Sequence, residues 1–160
     1  MSTPLTRAIV LLAAVLVLAA VNYSIHAKEQ IIRQGEPLYL ALAPVDPRSL
    51  MQGDYMALRF ELATQIEGPL TGPEITASPR VPVVLDDHRV ARLAMNGAAS
   101  DLSIRYRIRN GRVWLGTNAY FFEEGTASRF AGARYGEFKV DRATGEAVLV
   151  GLRDAEFRAL

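Results

Sequence analysis

The chain of 160 residues contains no cysteine, and lysine occurs only at positions 28 and 139. The lack of cysteine excludes disulfides, thiol catalysis and thiolate metal sites, so packing alone must hold the folded part of the chain together. The charge is nearly balanced, because 18 basic and 17 acidic residues leave a net charge of +1. This balance gives no electrostatic basis for nucleic-acid binding, and we expect no nucleic-acid partner.

One long apolar run occupies residues 8–21 and extends to Ile25. Its length fits either a removable signal segment or a helix that just spans a bilayer. Cleavage after Ala27 would leave the bulky Ile25 where a small residue is preferred, and Arg7 alone makes a weak basic leader. The sequence therefore favours an uncleaved, single-pass anchor over residues 1–27. Either alternative places the rest of the chain outside the cytoplasm.

Beyond the anchor, we expect a linker at residues 28–35, with continuation of the helix as the alternative, and one domain at residues 36–160. Apolar or alternating segments bounded by Gly, Pro, Asp and Asn recur there at short intervals, as in antiparallel β structure. We expect a mainly β (α+β) fold: an N-terminal membrane helix, then a small antiparallel β-rich domain with one or two short helices. The predicted strands lie at residues 37–43, 54–63, 81–85, 89–95, 102–109, 112–115, 135–140 and 146–152.

Residues 102–109 alternate strictly between apolar side chains and serine or arginine, which is the pattern of a half-buried strand. Asn110-Gly111 follows, and this dipeptide predicts a two-residue type I′ turn into the strand at residues 112–115. Such a turn sets the register of the hairpin. The predicted opposite residues are Ile108 and Val113, Tyr106 and Leu115, and Arg107 and Trp114.

Two further hairpins and one helix are predicted. A turn at residues 86–87 connects two strands, and Pro82 restricts the first of them to a sheet edge, because proline has no N–H to donate. Residues 141–145 connect the last two strands. A short helix is predicted at residues 126–131, capped by Thr126.

The residues between the first two predicted strands combine turn and strand signals. Asp46 is a candidate helix N-cap, and Pro47 suits the first helical position, where a missing N–H costs nothing. Gly53 can close this helical turn in a left-handed conformation, and residues 54–60 then have the length and residue types of a strand. This part of the sequence predicts a one-turn helix that leads into a strand.

Residues 53–60 resemble the signature of the bacterial GDYXXLXY family of membrane-anchored proteins. Their sequence is Gly-Asp-Tyr-Met-Ala-Leu-Arg-Phe, and we call them the first motif. Phe60 replaces the final tyrosine of the signature. Phenylalanine has no hydroxyl to donate, but its ring can still pack as the tyrosine ring would. Residues 46–50 and Phe-Phe-Glu-Glu-Gly at residues 121–125, the second motif, are also similar to the family. The resemblance implies a membrane-anchored extracytoplasmic protein of uncharacterised biochemistry, often associated with polytopic membrane proteins. It supplies no catalytic residues.

The candidate binding residues are Arg48, Gly53, Asp54 and Tyr55. Asp54 would contact a ligand or partner at the mouth of the turn; alternatively, its carboxylate accepts nearby backbone N–H groups, as aspartate does in turns. Arg48 would bind an anionic group or form a salt bridge with a neighbouring aspartate. We expect Tyr55 to be a core or strand-pair aromatic residue.

Other aromatic and acidic residues suggest further sites. Tyr-Phe-Phe at residues 120–122 would suit a binding platform, but a domain this small has few other large side chains, and we expect these three in the core. Trp114 lies on the arginine face of its hairpin, which predicts either a cation–π contact with Arg107 or a basic, aromatic contact patch. Residues 86–88 (Asp-Asp-His) are consecutive and point in different directions, so we expect no metal site and no cofactor.

These features favour a non-enzymatic protein of the bacterial inner membrane whose periplasmic domain binds or supports a membrane or envelope partner, such as a polytopic membrane protein. One alternative is the capture of a small envelope ligand in a cleft beside residues 53–60. The other is a serine hydrolase, because Ser49 and the Gly-Asp that follows resemble the nucleophile region of type I signal peptidases. That pattern lacks a methionine after the serine and a lysine base in a matching context, so we expect no enzyme activity.

Overall fold

A computed structural model describes residues 4–43, 51–52, 55–67, 79–94, 100 and 102–160. Its first element is helix α1 (Pro4–Gln34). The part of α1 at Thr6–Gln34 is long and apolar enough to cross a membrane, by length and composition, and its most apolar stretch is not buried by any other part of the chain described. Residues 28–34 are the last turns of α1, as in the helical alternative.

The rest of the described chain forms strands and two short helices: β1 (Glu36–Ala41), β2 (Met51–Gln52), β3 (Tyr55–Ala57), α2 (Glu61–Glu67), β4 (Arg80–Leu85), β5 (Ala91–Leu93), β6 (Leu102–Arg105), β7 (Arg107–Arg109), β8 (Arg112–Trp114), β9 (Ala119–Phe121), α3 (Ala127–Phe130), β10 (Tyr135–Val140) and β11 (Ala147–Arg153). The strands pair antiparallel in four small sheets with the orders β1-β10-β11, β2-β3-β9, β5-β4-β6 and β7-β8. The predicted mainly β fold with a long apolar N-terminal helix is confirmed.

One contiguous hydrophobic core receives side chains from all four sheets. In β1 and β10 the buried residues alternate with half-exposed ones, so one face of sheet β1-β10-β11 packs on the core and the other faces outward. The side chains that are buried almost completely are Phe60, Phe138, Leu38, Leu40, Ile104, Leu115, Leu152, Val83 and Val140.

The predicted hairpins are confirmed. Asn110 and Gly111 have positive φ angles of 51° and 70°, as a type I′ turn requires. The β4–β5 turn is centred on residues 87–88, one position beyond the predicted one, and the turn after β10 connects it to β11. Two of the three predicted pairs across the β7–β8 hairpin are present, Ile108 with Val113 and Arg107 with Trp114.

Residues 102–109 form two strands instead of the predicted one. β6 pairs with β4, whereas β7 pairs with β8. The break falls at Tyr106, whose backbone N–H donates to the carbonyl of Pro79 at 3.0 Å. The predicted pair of Tyr106 with Leu115 is therefore not part of the β7–β8 ladder, although both side chains are buried. Alternation along one extended segment cannot show that the segment changes its partner half-way.

The prediction that Pro82 lies in an edge strand is wrong, because β4 is the central strand between β5 and β6. The carbonyl of Pro82 accepts from the backbone N–H of Ala94 at 3.0 Å, one residue beyond the end of β5. In a strand, the N–H and the carbonyl of one residue point to the same side. The missing N–H of Pro82 therefore also faces the end of β5, so the proline forgoes only one bond, to a residue just beyond the last ladder pair of β4 and β5.

The strand predicted at residues 54–63 divides into the shorter β3 and the helix α2. Leu62, Ala63 and Ile66 form the buried face of α2. Their spacing is that of a helix and was available in the sequence, but the preceding strand pattern obscured it. The chain leaves the sheet at Leu58, whose backbone N–H donates to the carbonyl of Asn118 at 2.7 Å.

The helical turn predicted ahead of Gly53 does not extend to that residue, because Met51–Gln52 is strand β2 and pairs with β3. Backbone pairing with a neighbouring strand outweighs the local turn signal there. The predicted N-cap Asp46 and the following Pro47 lie outside the described residues.

The short helix α3 lies where the sequence predicts it, but its predicted side-chain cap is wrong. Thr126 occupies the N-cap position, but its side-chain oxygen accepts no hydrogen bond from a backbone N–H of the first turn. Its hydroxyl donates instead to the carbonyl of Glu123 at 2.6 Å. The threonine thus closes the turn before the helix rather than the first turn of the helix.

Candidate functional site: the motif sheet

The two motifs meet in sheet β2-β3-β9, which we call the motif sheet. β3 carries Tyr55 of the first motif, β9 carries Phe121 of the second, and the register places these two residues directly opposite each other. Their rings pack with centroids 5.7 Å apart and an interplanar angle of 39°. In the same pair of strands, Met56 lies opposite Tyr120. Two segments that are far apart in sequence therefore meet in one antiparallel strand pair.

Phe121 is 74% exposed, so the expectation that residues 120–122 all fill the core is wrong for this residue. Successive side chains of an extended strand point to opposite faces, and Tyr120 and Phe122 are the two that turn inward. Both pack on Phe130 of α3, with ring centroids 5.2 Å apart in each pair. The motif sheet thus presents a large apolar side chain to solvent above a packed layer of aromatic rings.

Tyr55 is the one predicted binding residue that the structure describes. It is half-buried and is a strand-pair aromatic residue, as expected. Its partner in β2 is Gln52, which lies directly opposite Tyr55. The other proposed binding residues and the alternative nucleophile lie outside the described residues: Arg48, Gly53, Asp54 and Ser49.

The second motif continues from β9 into a tight turn that leads to α3. The carbonyl of Glu123 accepts from both the backbone N–H and the hydroxyl of Thr126, at 3.1 and 2.6 Å. Gly125 has a φ angle of 81°, which L side chains rarely adopt, so the turn requires a glycine there. Glu123 and Glu124 are exposed. The exposed Phe121 is thus followed by two acidic side chains at the surface.

A second aromatic surface lies on the β7–β8 hairpin. The guanidinium carbon of Arg109 is 5.7 Å from the centroid of the Trp114 ring, within the range of a cation–π contact. The sequence predicts this contact with Arg107, which lies directly opposite Trp114. The diagonal neighbour Arg109 makes it instead, since a long side chain reaches a residue two positions along the partner strand.

The carboxylate of Asp86 is used within the β4–β5 turn. Its Oδ1 accepts from the backbone N–H groups of His88 and Val90 at 3.0 and 2.9 Å, and its Oδ2 lies 3.6 Å from a guanidinium nitrogen of Arg92. Among the residues that the structure describes, no three His, Cys, Asp or Glu side chains are grouped so that they could hold a metal ion.

Two carboxylates at the end of sheet β1-β10-β11 next to α1 have lowered pKa values. Hydrogen bonds from Arg89 and Arg142 hold the pKa of Glu36 below its ordinary value. The pKa of Asp141 is lowered by hydrogen bonds from the backbone N–H and the hydroxyl of Thr144. The bonds of Glu36 join β1 to the β4–β5 and β10–β11 turns, and those of Asp141 lie within the β10–β11 turn, so both shifts accompany contacts that hold this end of the sheet together.

A family model described as GDYXXLXY protein matches residues 17–152 of the chain. The chain belongs to the GDYXXLXY family. The GDYXXLXY match includes both motifs and every strand of the motif sheet, and it begins within α1. No curated protein and no solved structure matches this GDYXXLXY protein. The GDYXXLXY family is of uncharacterised function, so the family confirms the resemblance without assigning a reaction or a partner.

Proposed function

We propose that this GDYXXLXY protein is a non-enzymatic, single-pass protein of the bacterial inner membrane whose periplasmic domain binds a polytopic membrane protein through the motif sheet. The observation that carries the proposal is the pairing of Tyr55 with the exposed Phe121, which brings both motifs of the family to one surface. In this arrangement α1 is an uncleaved anchor.

The composition of α1 supports the anchoring. Its apolar stretch exposes a continuous series of Ile, Leu and Val side chains. Each such side chain costs about 1.5–3 kcal/mol when it is left in water rather than buried, and lipid would remove that cost. Arg7 lies in the first turn of α1, ahead of the apolar run, which suits the cytoplasmic side, and the domain that follows is then exported.

The surroundings of Phe121 support the contact surface. In the described part of the chain, β9 is the end strand of the motif sheet and pairs only with β3. The ring of Tyr55 already restricts that of Phe121, which lowers the entropy cost of ordering it in a complex. Exposed aromatic anchors with a polar rim are typical of protein interfaces, and Glu123 and Glu124 supply such a rim.

Single-cysteine variants test the topology directly, because the chain has no cysteine of its own. Ser128→Cys, at an exposed position in α3, should react with a membrane-impermeant maleimide in intact spheroplasts. Ser2→Cys, on the other side of α1, should react only after the membrane is permeabilised. Labelling of Ser2→Cys alone in intact spheroplasts would contradict the proposed orientation.

Site-specific photo-crosslinking tests the partner. p-Benzoylphenylalanine in place of Phe121, in the full-length protein in cells, should give a discrete adduct with a multi-span membrane protein. The matched control carries the same probe in place of Val150, which is exposed on β11. Tyr55→Ala should weaken the adduct at position 121. No adduct at position 121, or the same adducts at both positions, would contradict binding through the motif sheet.

The non-enzymatic part of the proposal has its own test. The purified full-length protein should hydrolyse neither a signal-peptidase substrate nor general esterase and peptidase substrates. Hydrolysis that is lost in a Ser49→Ala variant of unchanged stability would show that the protein is a serine hydrolase.

A further inference from the structure

Helix α1 enters the β-rich domain without a linker, since Gly35 alone separates it from β1. Lys28 of α1 forms an ion pair with Glu146, at the end of the β10–β11 turn. One turn further along α1, Ile31 is buried where the helix contacts β10 and β11. These contacts join the helix end to the sheet, so the depth of α1 in a bilayer sets the height of the domain above it.

The first of these contacts falls at the membrane surface. Residues 8–25 of α1 span about 27 Å at 1.5 Å per residue, close to the roughly 30 Å of a hydrocarbon core. Lys28 follows Ile25 by three residues, which adds about 4.5 Å along the helix axis. The headgroup layer on each side of the hydrocarbon is about 5–7 Å thick. Lys28 and its partner Glu146 therefore lie within that layer.

The contacts along α1 also orient sheet β1-β10-β11. Glu146 pairs with Lys28, whereas the backbone of Val140 lies beside Gly35, about 10 Å further from the hydrocarbon. β10 therefore runs toward the membrane and β1 runs away from it. The β10–β11 turn is at the membrane-proximal end of the sheet, and its residues 142–144 are exposed.

The charges at this end suit lipid phosphates. In the pair of Lys28 with Glu146, the side chain of the base is 44% exposed and that of the acid 27%. In the pair of Arg142 with Glu36, the corresponding values are 64% and 25%. The exposed Arg80 donates to the carbonyl of Ala143 at 2.9 Å and so lies beside the same turn. In each ion pair the basic side chain is more exposed than the acidic one. The surface around the β10–β11 turn therefore presents cationic groups.

We infer that the β10–β11 turn, with Arg80 and Arg142 beside it, lies in the phospholipid headgroup layer of the membrane that holds α1, its guanidinium groups facing lipid phosphates. This inference rests on the proposed anchoring by α1 and is independent of the proposed protein partner. The membrane surface thus supports the domain in one orientation.

That orientation determines where the first motif lies. Phe60, its last residue, forms a bridge with Leu42, just beyond the membrane-distal end of β1. The distance from Glu36 to Leu42 along an extended chain is about 20 Å. The first motif therefore ends well above the headgroup layer, where it can meet the extramembrane part of another protein.

A fluorophore on single cysteines, quenched by lipids that carry a nitroxide in the headgroup, tests the inference. The full-length protein is placed in nanodiscs of phosphatidylcholine and phosphatidylglycerol. Ala143→Cys reports on the β10–β11 turn, and Ala131→Cys, exposed next to α3 at the other end of β10, is the matched control. β10 is about 17 Å long, so quenching at position 143 should exceed that at position 131 at least about twofold.

A third reporter, Ala13→Cys within α1, separates the possible failures. Lipids with a nitroxide on the acyl chain should quench it strongly. Equal headgroup quenching at positions 143 and 131, with strong acyl-chain quenching at position 13, would overturn the inference and leave the anchor intact. Absence of acyl-chain quenching at position 13 would overturn both the anchor and the inference. Trp114 fluorescence confirms that each variant is folded.

Discussion

Phe60 packs edge to face against Phe138, with ring centroids 5.3 Å apart, and both side chains are almost completely buried. Phe60 is the last residue of the first motif, and Phe138 lies in the middle of β10. The contact joins the signature segment to the sheet that continues from α1. The ring of Phe60 therefore has a packing role, as predicted from the sequence. That role does not require the hydroxyl of the tyrosine that ends the family signature.

Gly136 lies against both of these rings, which leads to a first prediction. A Cβ at this position would come within 2.9 Å of Phe60 and 3.0 Å of Phe138. Gly136→Ala should lower the free energy of unfolding by about 1–3 kcal/mol, because buried rings cannot move aside without overpacking the core. Gly132→Ala, whose Cβ would meet nothing within 4 Å, should change it by less than about 0.5 kcal/mol. Denaturation followed by the fluorescence of Trp114 measures both, and equal effects would contradict the packing.

Two adjacent isoleucines of α1 provide a second prediction. Ile31 is 6% exposed and Ile32 is 44% exposed. Ile31→Ala should lower the free energy of unfolding of the domain by about 2–4 kcal/mol, since it leaves a cavity between α1 and the sheet. Ile32→Ala should cost less than about 1 kcal/mol, because its side chain fills no cavity. The measurement is denaturation of the full-length protein in nanodiscs. An effect of Ile32→Ala as large as that of Ile31→Ala would show that α1 does not pack on the domain.

Two phenylalanines around the motif sheet provide a third prediction. Phe121→Ala should lower the free energy of unfolding by less than about 1 kcal/mol, because the ring is mostly exposed and loses only its cross-strand contact with Tyr55. Phe130→Ala should lower it by about 3–5 kcal/mol, since that ring is buried beneath Tyr120 and Phe122. Thermal unfolding compares the two variants. A large loss of stability in Phe121→Ala would make this residue structural and remove the reason to regard it as a contact.

The network around Glu36 provides a fourth prediction, on pH dependence. Hydrogen bonds from Arg89 and Arg142 lower the pKa of Glu36 from its ordinary value of 4.5, so the unfolded chain binds this proton more tightly than the folded one. The stability that Glu36 contributes is therefore fully present above about pH 4.5 and is lost as the pH falls through the lower pKa of the folded state.

Glu36→Gln should remove this contribution. At pH 7 the variant should be less stable than the parent protein by about 1 kcal/mol, because the two ion pairs are only partly shielded from water. The difference should shrink as the pH is lowered below 4.5. Arg89→Gln, which removes the stronger donor, should weaken the same pH dependence. Urea denaturation between pH 3 and 7 measures it, and parallel curves for Glu36→Gln and the parent would contradict the assignment.

Local patterns in the sequence are sufficient to predict those parts of the fold that depend on residues close together in the chain. A continuous apolar run predicts α1, and Asn110-Gly111 predicts its hairpin because only a few residue types accept two consecutive positive φ angles. The errors at Pro82 and Tyr106 have a different origin. In both, the outcome depended on where a partner strand ends or begins, and the pattern of the segment itself carries no such information.

In the candidate site, too, local sequence patterns predict some features, whereas others depend on contacts between distant residues. Both motifs were visible as segments, and Tyr55 was expected in a strand pair, but its partner Phe121 was expected in the core. Strand alternation alone does not indicate which face of β9 turns inward; the packing of Tyr120 and Phe122 on Phe130 does. The long apolar helix, most of the strands and the absence of disulfides therefore follow from composition and short-range pattern. The meeting of the two motifs, the exposure of Phe121 and the seating of α1 on β10 and β11 follow only from the packed chain, because each depends on contacts between residues distant in sequence.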